Sequence, residues 1–152
     1  METKIITHNK KYLRDYKIID KFVAGLVLTG NEIKSLRNYQ SSIKEAYILP
    51  YDGELFVSNL HITSYKYSHI VNSKIQNNKK KRKLLLHKKE INKIIRQLKS
   101  KNYIIIPLQL FISQKGWAKL EIALAQHLRK YQIKEKIKEK EIQRKIRKKD
   151  IY

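Results

Sequence analysis

Two apolar runs around a tight turn constrain this chain more than any other feature. YIIIPLQLFI (103–112) and WAKLEIALA (117–125) flank Gln114-Lys115-Gly116. In the second run Ala118, Leu120, Ile122 and Leu124 alternate with Lys119, Glu121 and Ala123. A period of two sends one set to a buried sheet face and leaves the other wet. The pattern predicts an antiparallel hairpin. Its apolar face must pack on a second layer or curl onto itself.

Other segments add strands rather than crossovers. KIIDKFVAGLVLTG (17–30) reads as a long strand that bends or bulges near Gly25 and ends at Gly30. NEIKSLRNYQSS (31–42) predicts a short helix, with Asn31 as N-cap and Ile33 and Leu36 on one face. KEAYILPYDGELFVSN (44–59) predicts a second hairpin around Asp52-Gly53, a preferred two-residue turn pair. Residues 61–83 read as a long loop. In 87–100, Ile91, Ile94, Ile95 and Leu98 form one stripe of an amphipathic helix, and Asn102 is expected in the left-handed region past its end. Strands joined by tight turns, without βαβ alternation, give a mainly β fold. It is a small antiparallel barrel with peripheral helices over residues 1–125, followed by a basic tail over 126–152.

Charge then narrows the partners. There are 35 Lys and Arg against 13 Asp and Glu, a net charge of +22. Such a surface attracts nucleic acid, an anionic membrane or a very acidic protein. No cysteine is present, which removes disulfides, thiolate nucleophiles and cysteine-ligated zinc. The first residues lack a signal core, and no apolar run approaches the roughly 20 residues of a membrane helix. These features are read as a cytosolic protein, away from membranes. The histidines are His8, His61, His69, His87 and His127, and none stands in HExxH spacing. Acids are too scarce for a two-metal nuclease site. No catalytic residue, metal site or cofactor is expected, and the chain reads as a non-enzyme.

The positive features are cations and tyrosines. KKKRK (79–83) holds five consecutive cations, including Lys81, Arg82 and Lys83, directly before LLL. They form either a solvated loop or a phosphate contact held by a strand. Tyr12, Tyr16, Tyr65 and Tyr67 lie among basic residues, where rings either stack on RNA bases or pack in the barrel with hydroxyls at its rim. Lys34, Ser35 and Arg37 offer donors on the short helix. Glu32 among them is odd for an RNA face. It caps the helix, pairs with an arginine or accepts from a base edge.

The tail, IKEKIKEKEIQRKIRKK (133–149), has no apolar seam. At about 100° per residue, Ile133 and Ile137 share one side while Ile142 and Ile146 lie nearly opposite. A coiled coil or membrane-lying helix is disfavoured. Glu141 and Lys145 make a favourable i,i+4 pair. The free tail is therefore expected to be disordered or fraying, and helical once phosphate neutralises its charge. With no seam, a monomer is the default.

Three ordered blocks, AGLVLTGNEIKSLR (24–37), DGELFVSNLHI (52–62) and RKLLLHKKEI (82–91), resemble the SsrA-binding protein (small protein B) family of trans-translation factors. The likeness extends through NYIIIPLQLF and WAKLEIALA. It implies an oligonucleotide-binding-like (OB-like) barrel that binds the tRNA-like domain of transfer-messenger RNA and carries it to stalled ribosomes. By position, the resemblance makes Asn9, Lys10, Arg14, Glu32, Lys34, Ser35, Arg37, Lys81, Arg82, Lys83, Leu84 and Leu85 the RNA-binding set. It places the tail in the empty messenger path, near small-subunit ribosomal RNA at the decoding centre. Arg129, Lys130, Tyr131, Lys134, Lys136, Lys138, Arg144, Lys145, Arg147 and Lys148 are the expected ribosome contacts. The chain departs from the family where Val23 replaces a usual Glu, Arg14 a common His and Asn102 a usual Gly. It also departs in AQHLRKYQIKEK, which lacks the family's Gly and Asp. The alternative reading is a general RNA-binding barrel of the same fold without ribosome rescue.

Overall fold

The hairpin at the chain's centre of gravity forms as its alternation requires. In a computed structural model that describes residues 3–63, 80–128 and 137–146, strands β8 (Ile104–Ile112) and β9 (Ala118–His127) pair antiparallel. Gly116 takes the left-handed φ of 87° that closes their turn. Leu120, Ile122 and Leu124 are fully buried, and Lys119 and Glu121 are not. Ala123 and Ala125 are buried too, because Tyr12, Tyr16 and Ile18 cover the opposite face of the sheet there.

Around this hairpin runs a sheet of seven strands in the order β1-β8-β9-β2-β7-β5-β4. Its other members are β1 (Lys4–His8), β2 (Tyr16–Leu26), β4 (Tyr47–Tyr51), β5 (Glu54–Ser58) and β7 (Arg82–Leu85), and every ladder is antiparallel. A two-stranded piece, β3 (Ser41–Ser42) with β6 (His61–Ile62), stands apart. The sheet curls so that β4 packs against β8, but no ladder joins β4 to β1. The barrel expected from the sequence is therefore an open, curled sheet rather than one closed by hydrogen bonds. Inside it lies one core that includes Leu36, Leu55, Val57, Leu84, Ile94, Leu110, Leu120 and Ile122.

Among the described residues, four helices are peripheral. Helix α1 (Lys10–Asp15) sits between β1 and β2. Helix α2 (Gly30–Arg37) follows β2. Helix α3 (Lys88–Ser100) turns Ile91 and Ile94 inward, as its stripe predicted. Each such burial is worth about 1.5–3 kcal/mol. Helix α4 spans 137–146 with every residue exposed. A ten-residue helix without packing is marginal in water. The described segment of the tail, 137–146, is thus helical and wholly solvated, with no packing that would keep a free tail from fraying.

Several local expectations change. Thr29, not Asn31, caps α2, because Thr29 and Glu32 form a reciprocal capping box. The α2 cap cuts the preceding strand at Leu26 rather than Gly30. The irregularity in β2 falls between Ile18 and Asp20, not at Gly25. Gly25 instead marks where β2 leaves β9 for β7, and a Cβ there would lie 3.2 Å from Leu85 Cβ. Asn102 does not adopt positive φ; α3 ends at an extended Lys101, and the non-glycine left-handed residues are Tyr39, Asp52 and Asn59. Asp52 (φ 50°) and Gly53 (φ 74°) form the expected hairpin turn, both on the left-handed side as a type I′ turn needs. Residues 64–79 of the long-loop reading, with Tyr65 and Tyr67, lie outside the described residues.

Candidate nucleic-acid interface

Helix α2 and strand β7 are distant in sequence and locked together by one buried ion pair. Arg82 Nε donates to Glu32 Oε2 at 2.7 Å. Its Nη2 lies 2.5 Å from the same oxygen, an ionic contact without hydrogen-bond geometry. Arg82 Nη1 donates to the Leu60 carbonyl at 3.0 Å. The other carboxylate oxygen, Oε1, accepts the Thr29 N–H at 3.1 Å and lies 3.5 Å from Lys80 Nζ. Glu32 is therefore both the cap and the arginine partner that its odd position suggested. Burial on its own would raise the Glu32 pKa. The Thr29 N–H, the Arg82 hydrogen bond and charge, and Lys80 outweigh that, so its carboxyl sits below the usual range.

Burial divides the expected RNA-binding set into inward-facing and exposed members. Arg82 is 1% exposed and Glu32 5%, so both are spent on each other. Ser35 and Leu84 are fully buried as well. In this structure the side chains of these four face into the protein, where they pair or pack. Alternation along β7 explains the split: Arg82 and Leu84 face the core, while Lys83 and Leu85 face out. The exposed members on this side are Lys34, Arg37, Lys81, Lys83 and Leu85. Lys83 lies 3.9 Å from Glu54, and Lys81 Nζ stands 5.7 Å from the centre of the exposed Tyr51 ring. Lys4 Nζ caps α2 through the Arg37 carbonyl at 2.7 Å and lies over Tyr39.

A second group gathers at the α1 end. Asn9 is 8% exposed; its side chain donates to the Lys44 carbonyl at 3.2 Å, and its N–H to Leu108. These bonds tie the start of α1 to Lys44 and to β8. Lys10 and Arg14 are exposed, Arg14 beside Asp15 at 3.1 Å. Behind them a cleft of about 320 Å³ is lined by Lys11, Tyr12, Tyr16, Lys44 and His127. Tyr12 meets Tyr16 edge-on, and Tyr16 meets His127 likewise. Burial, and then Tyr16, push the Tyr12 pKa up. Both tyrosines therefore take the packing role left open by the sequence. In the tail, Lys138, Arg144 and Lys145 are exposed on α4. Arg129, Lys130, Tyr131, Lys134, Lys136, Arg147 and Lys148 lie outside the described residues.

The sequence reading passed over Lys44, whose loop has no periodicity to mark it. It also passed over Lys80 as a partner of Glu32, and Lys119, although the alternation of β9 already put Lys119 outward. Among the described residues, no three His, Cys, Asp or Glu gather as a metal site, and no helix is long and apolar enough to cross a membrane.

Comparison with known proteins bears on the whole chain. A family model described as "SmpB protein" matches residues 6–150. An SsrA-binding protein of Sulfurihydrogenibium sp. is 42% identical over 149 residues, covering 97% of this chain and 95% of that one. That of Fervidobacterium nodosum is 41% identical, covering 95% of each. A solved structure described as "tmRNA-SmpB: a journey to the center of the bacterial ribosome" aligns with a TM-score of 0.61. It is 32% identical and covers 77% of this chain and 80% of its own.

Proposed function

Because the chain belongs to the SmpB family of SsrA-binding proteins, we propose that it is the RNA-binding factor of trans-translation in its cell. It binds transfer-messenger RNA and acts with it on stalled ribosomes. The body holds the tRNA-like domain, and the tail enters the decoding centre and the empty messenger channel. No step of this work calls for a catalytic group: the protein positions an RNA by charge and shape. Its place of work is the cytoplasm, where ribosomes translate.

The observation that carries this reading is the reach of the family match, which spans residues 6–150, from the body into the tail. A general RNA-binding barrel would need only the former. The geometry adds a physical basis. Lys34, Arg37, Lys81 and Lys83 are presented by α2 and β7, and the Glu32–Arg82 pair fixes those two elements against each other. Each phosphate they neutralise releases counterions, so binding is steeply salt-dependent.

Tagging of a stalled nascent chain in a reconstituted translation system is the test. The full chain restores tagging with transfer-messenger RNA present. Removal of residues 132–152 abolishes tagging while the RNA stays bound to the body. Equal tagging by the truncated chain sinks the assignment of the tail, and no tagging by the full chain sinks the reading.

A further inference from the structure

The outward face of the sheet beside α2 carries more apolar surface than a solvated face needs. Register places Ile5, Phe111, Lys119, Gly25 and Leu85 in one row across five strands. Ile5 and Leu85 are both 52% exposed. The next row holds Leu49, Phe56 and Lys83. Past Gly25, where the β2–β9 ladder ends, the Val27 N–H donates to the Lys83 carbonyl, and on the other side of that ladder the Trp117 carbonyl accepts from the Ser113 N–H. Val27 is 49% exposed and Trp117 66%.

Trp117 is the chain's single tryptophan. It is not exposed because its backbone is loose. Ser113 N donates to the Trp117 carbonyl at 2.8 Å, Trp117 N donates to Ser113 Oγ at 3.2 Å, and Gly116 N donates to the Ser113 carbonyl at 2.9 Å. The main chain that carries the ring is thus already ordered by the turn, so a ligand meeting it has only the side chain to order. Lys83 and Lys119 lie in the same two rows, so phosphates following a stacked base meet cations carried on the sheet. Tyr51 stands at the far side with Lys81 beside its ring. Exposed rings among lysines on a chain of net charge +22 match the chemistry of unpaired nucleotides: a flat apolar base and a charged backbone.

We propose that this face is a base-stacking platform, with Trp117 stacking on an unpaired base of the bound RNA while Lys83 and Lys119 hold adjoining phosphates. The proposal rests on the RNA-binding reading above and names the contact it makes. Transfer-messenger RNA exposes such bases wherever its tRNA-like domain is looped rather than paired.

Fluorescence excited at the red edge of the indole band, where the ten tyrosines barely absorb, reads Trp117 in the full-length chain. Transfer-messenger RNA is titrated in while binding is followed independently by filter retention. Quenching should saturate at the same RNA concentration as retention. Trp117→Ala should weaken retention about 5- to 140-fold and leave its salt slope unchanged, since no charge is lost. Trp117→Phe should recover most of the affinity. Lys119→Glu should weaken binding and flatten the slope. Retention without quenching, together with full affinity in Trp117→Ala, overturns the platform and leaves the RNA-binding reading intact. No retention by the unaltered chain overturns that reading itself, and the platform with it. Quenching by ribosomes but not by the RNA assigns the face to a ribosomal surface and also overturns the platform.

Discussion

Removing Arg82 should cost the protein its stability before its charge. Arg82→Met keeps an apolar stem of similar length and deletes the guanidinium. Three contacts go with it: Nε and Nη2 on Glu32 Oε2, and Nη1 on the Leu60 carbonyl. The Glu32 carboxylate stays 5% exposed and keeps the Thr29 N–H and Lys80. Stranding one member of a buried pair costs about 3–5 kcal/mol. At about 2–4 °C per kcal/mol for a domain of this size, the melting point falls by about 6–20 °C. The double variant Glu32→Gln/Arg82→Met strands no charge and should recover about half of the loss or more, because residues in one ionic network couple strongly. Lys83→Glu, one residue along β7, points outward and should change stability by about 0.5 kcal/mol or less. It should instead lower RNA affinity and reduce the salt slope by about one. Thermal melts and RNA binding at two salt concentrations, run on all three variants, make the comparison. If Arg82→Met melts like the parent and loses RNA affinity with a flatter salt slope, Arg82 is a phosphate contact and the lock is wrongly assigned.

Other outcomes follow from single features. The Glu32 carboxyl has a folded pKa below its usual 4.5. Its ionised form therefore contributes stability that is fully present above that value and is lost as pH falls through the folded pKa. Acid melts should steepen below about pH 4.5, and Glu32→Gln should remove that part of the dependence. Gly53→Val puts a β-branched residue at φ 74°, which should cost about 1–3 kcal/mol in a thermal melt; a neutral result contradicts the type I′ turn. A peptide of residues 126–152 should show weak helicity by circular dichroism in low salt, since α4 packs on nothing among the described residues, and should gain helix on adding RNA. A stable helix without RNA refutes that.

The strands were legible where side-chain period and turn chemistry agreed. The β8–β9 alternation and Asp52-Gly53 are local signals, and both survive folding intact. The caps were legible too, though the wrong residue was chosen: Thr-Gly-Asn-Glu at 29–32 is a capping box, and the box outcompetes Asn31. What the chain could not reveal by itself is which cations face inward. Arg82 and Lys83 are neighbours of like charge, and only the register of β7 against β5 and β2 turns one toward Glu32 and the other toward solvent. Glu32 and Arg82 are 50 residues apart, so no periodicity links them. The exposed face around Trp117 is hidden in the sequence for the same reason. Its rows collect one residue from each of several strands, and Trp117, Val27 and Leu85 belong together only once the sheet exists.

Affinity as a function of salt decides the central claim most directly. The full-length chain is titrated with transfer-messenger RNA and, separately, with an elongator tRNA, from about 50 to 200 mM salt. The expected result is tighter binding of transfer-messenger RNA, by about tenfold or more, a preference of about 1.4 kcal/mol, with both affinities falling linearly in the logarithm of salt. Equal, weak binding of the two RNAs at physiological salt would mean that the surface is merely basic, and the assignment to trans-translation would fall.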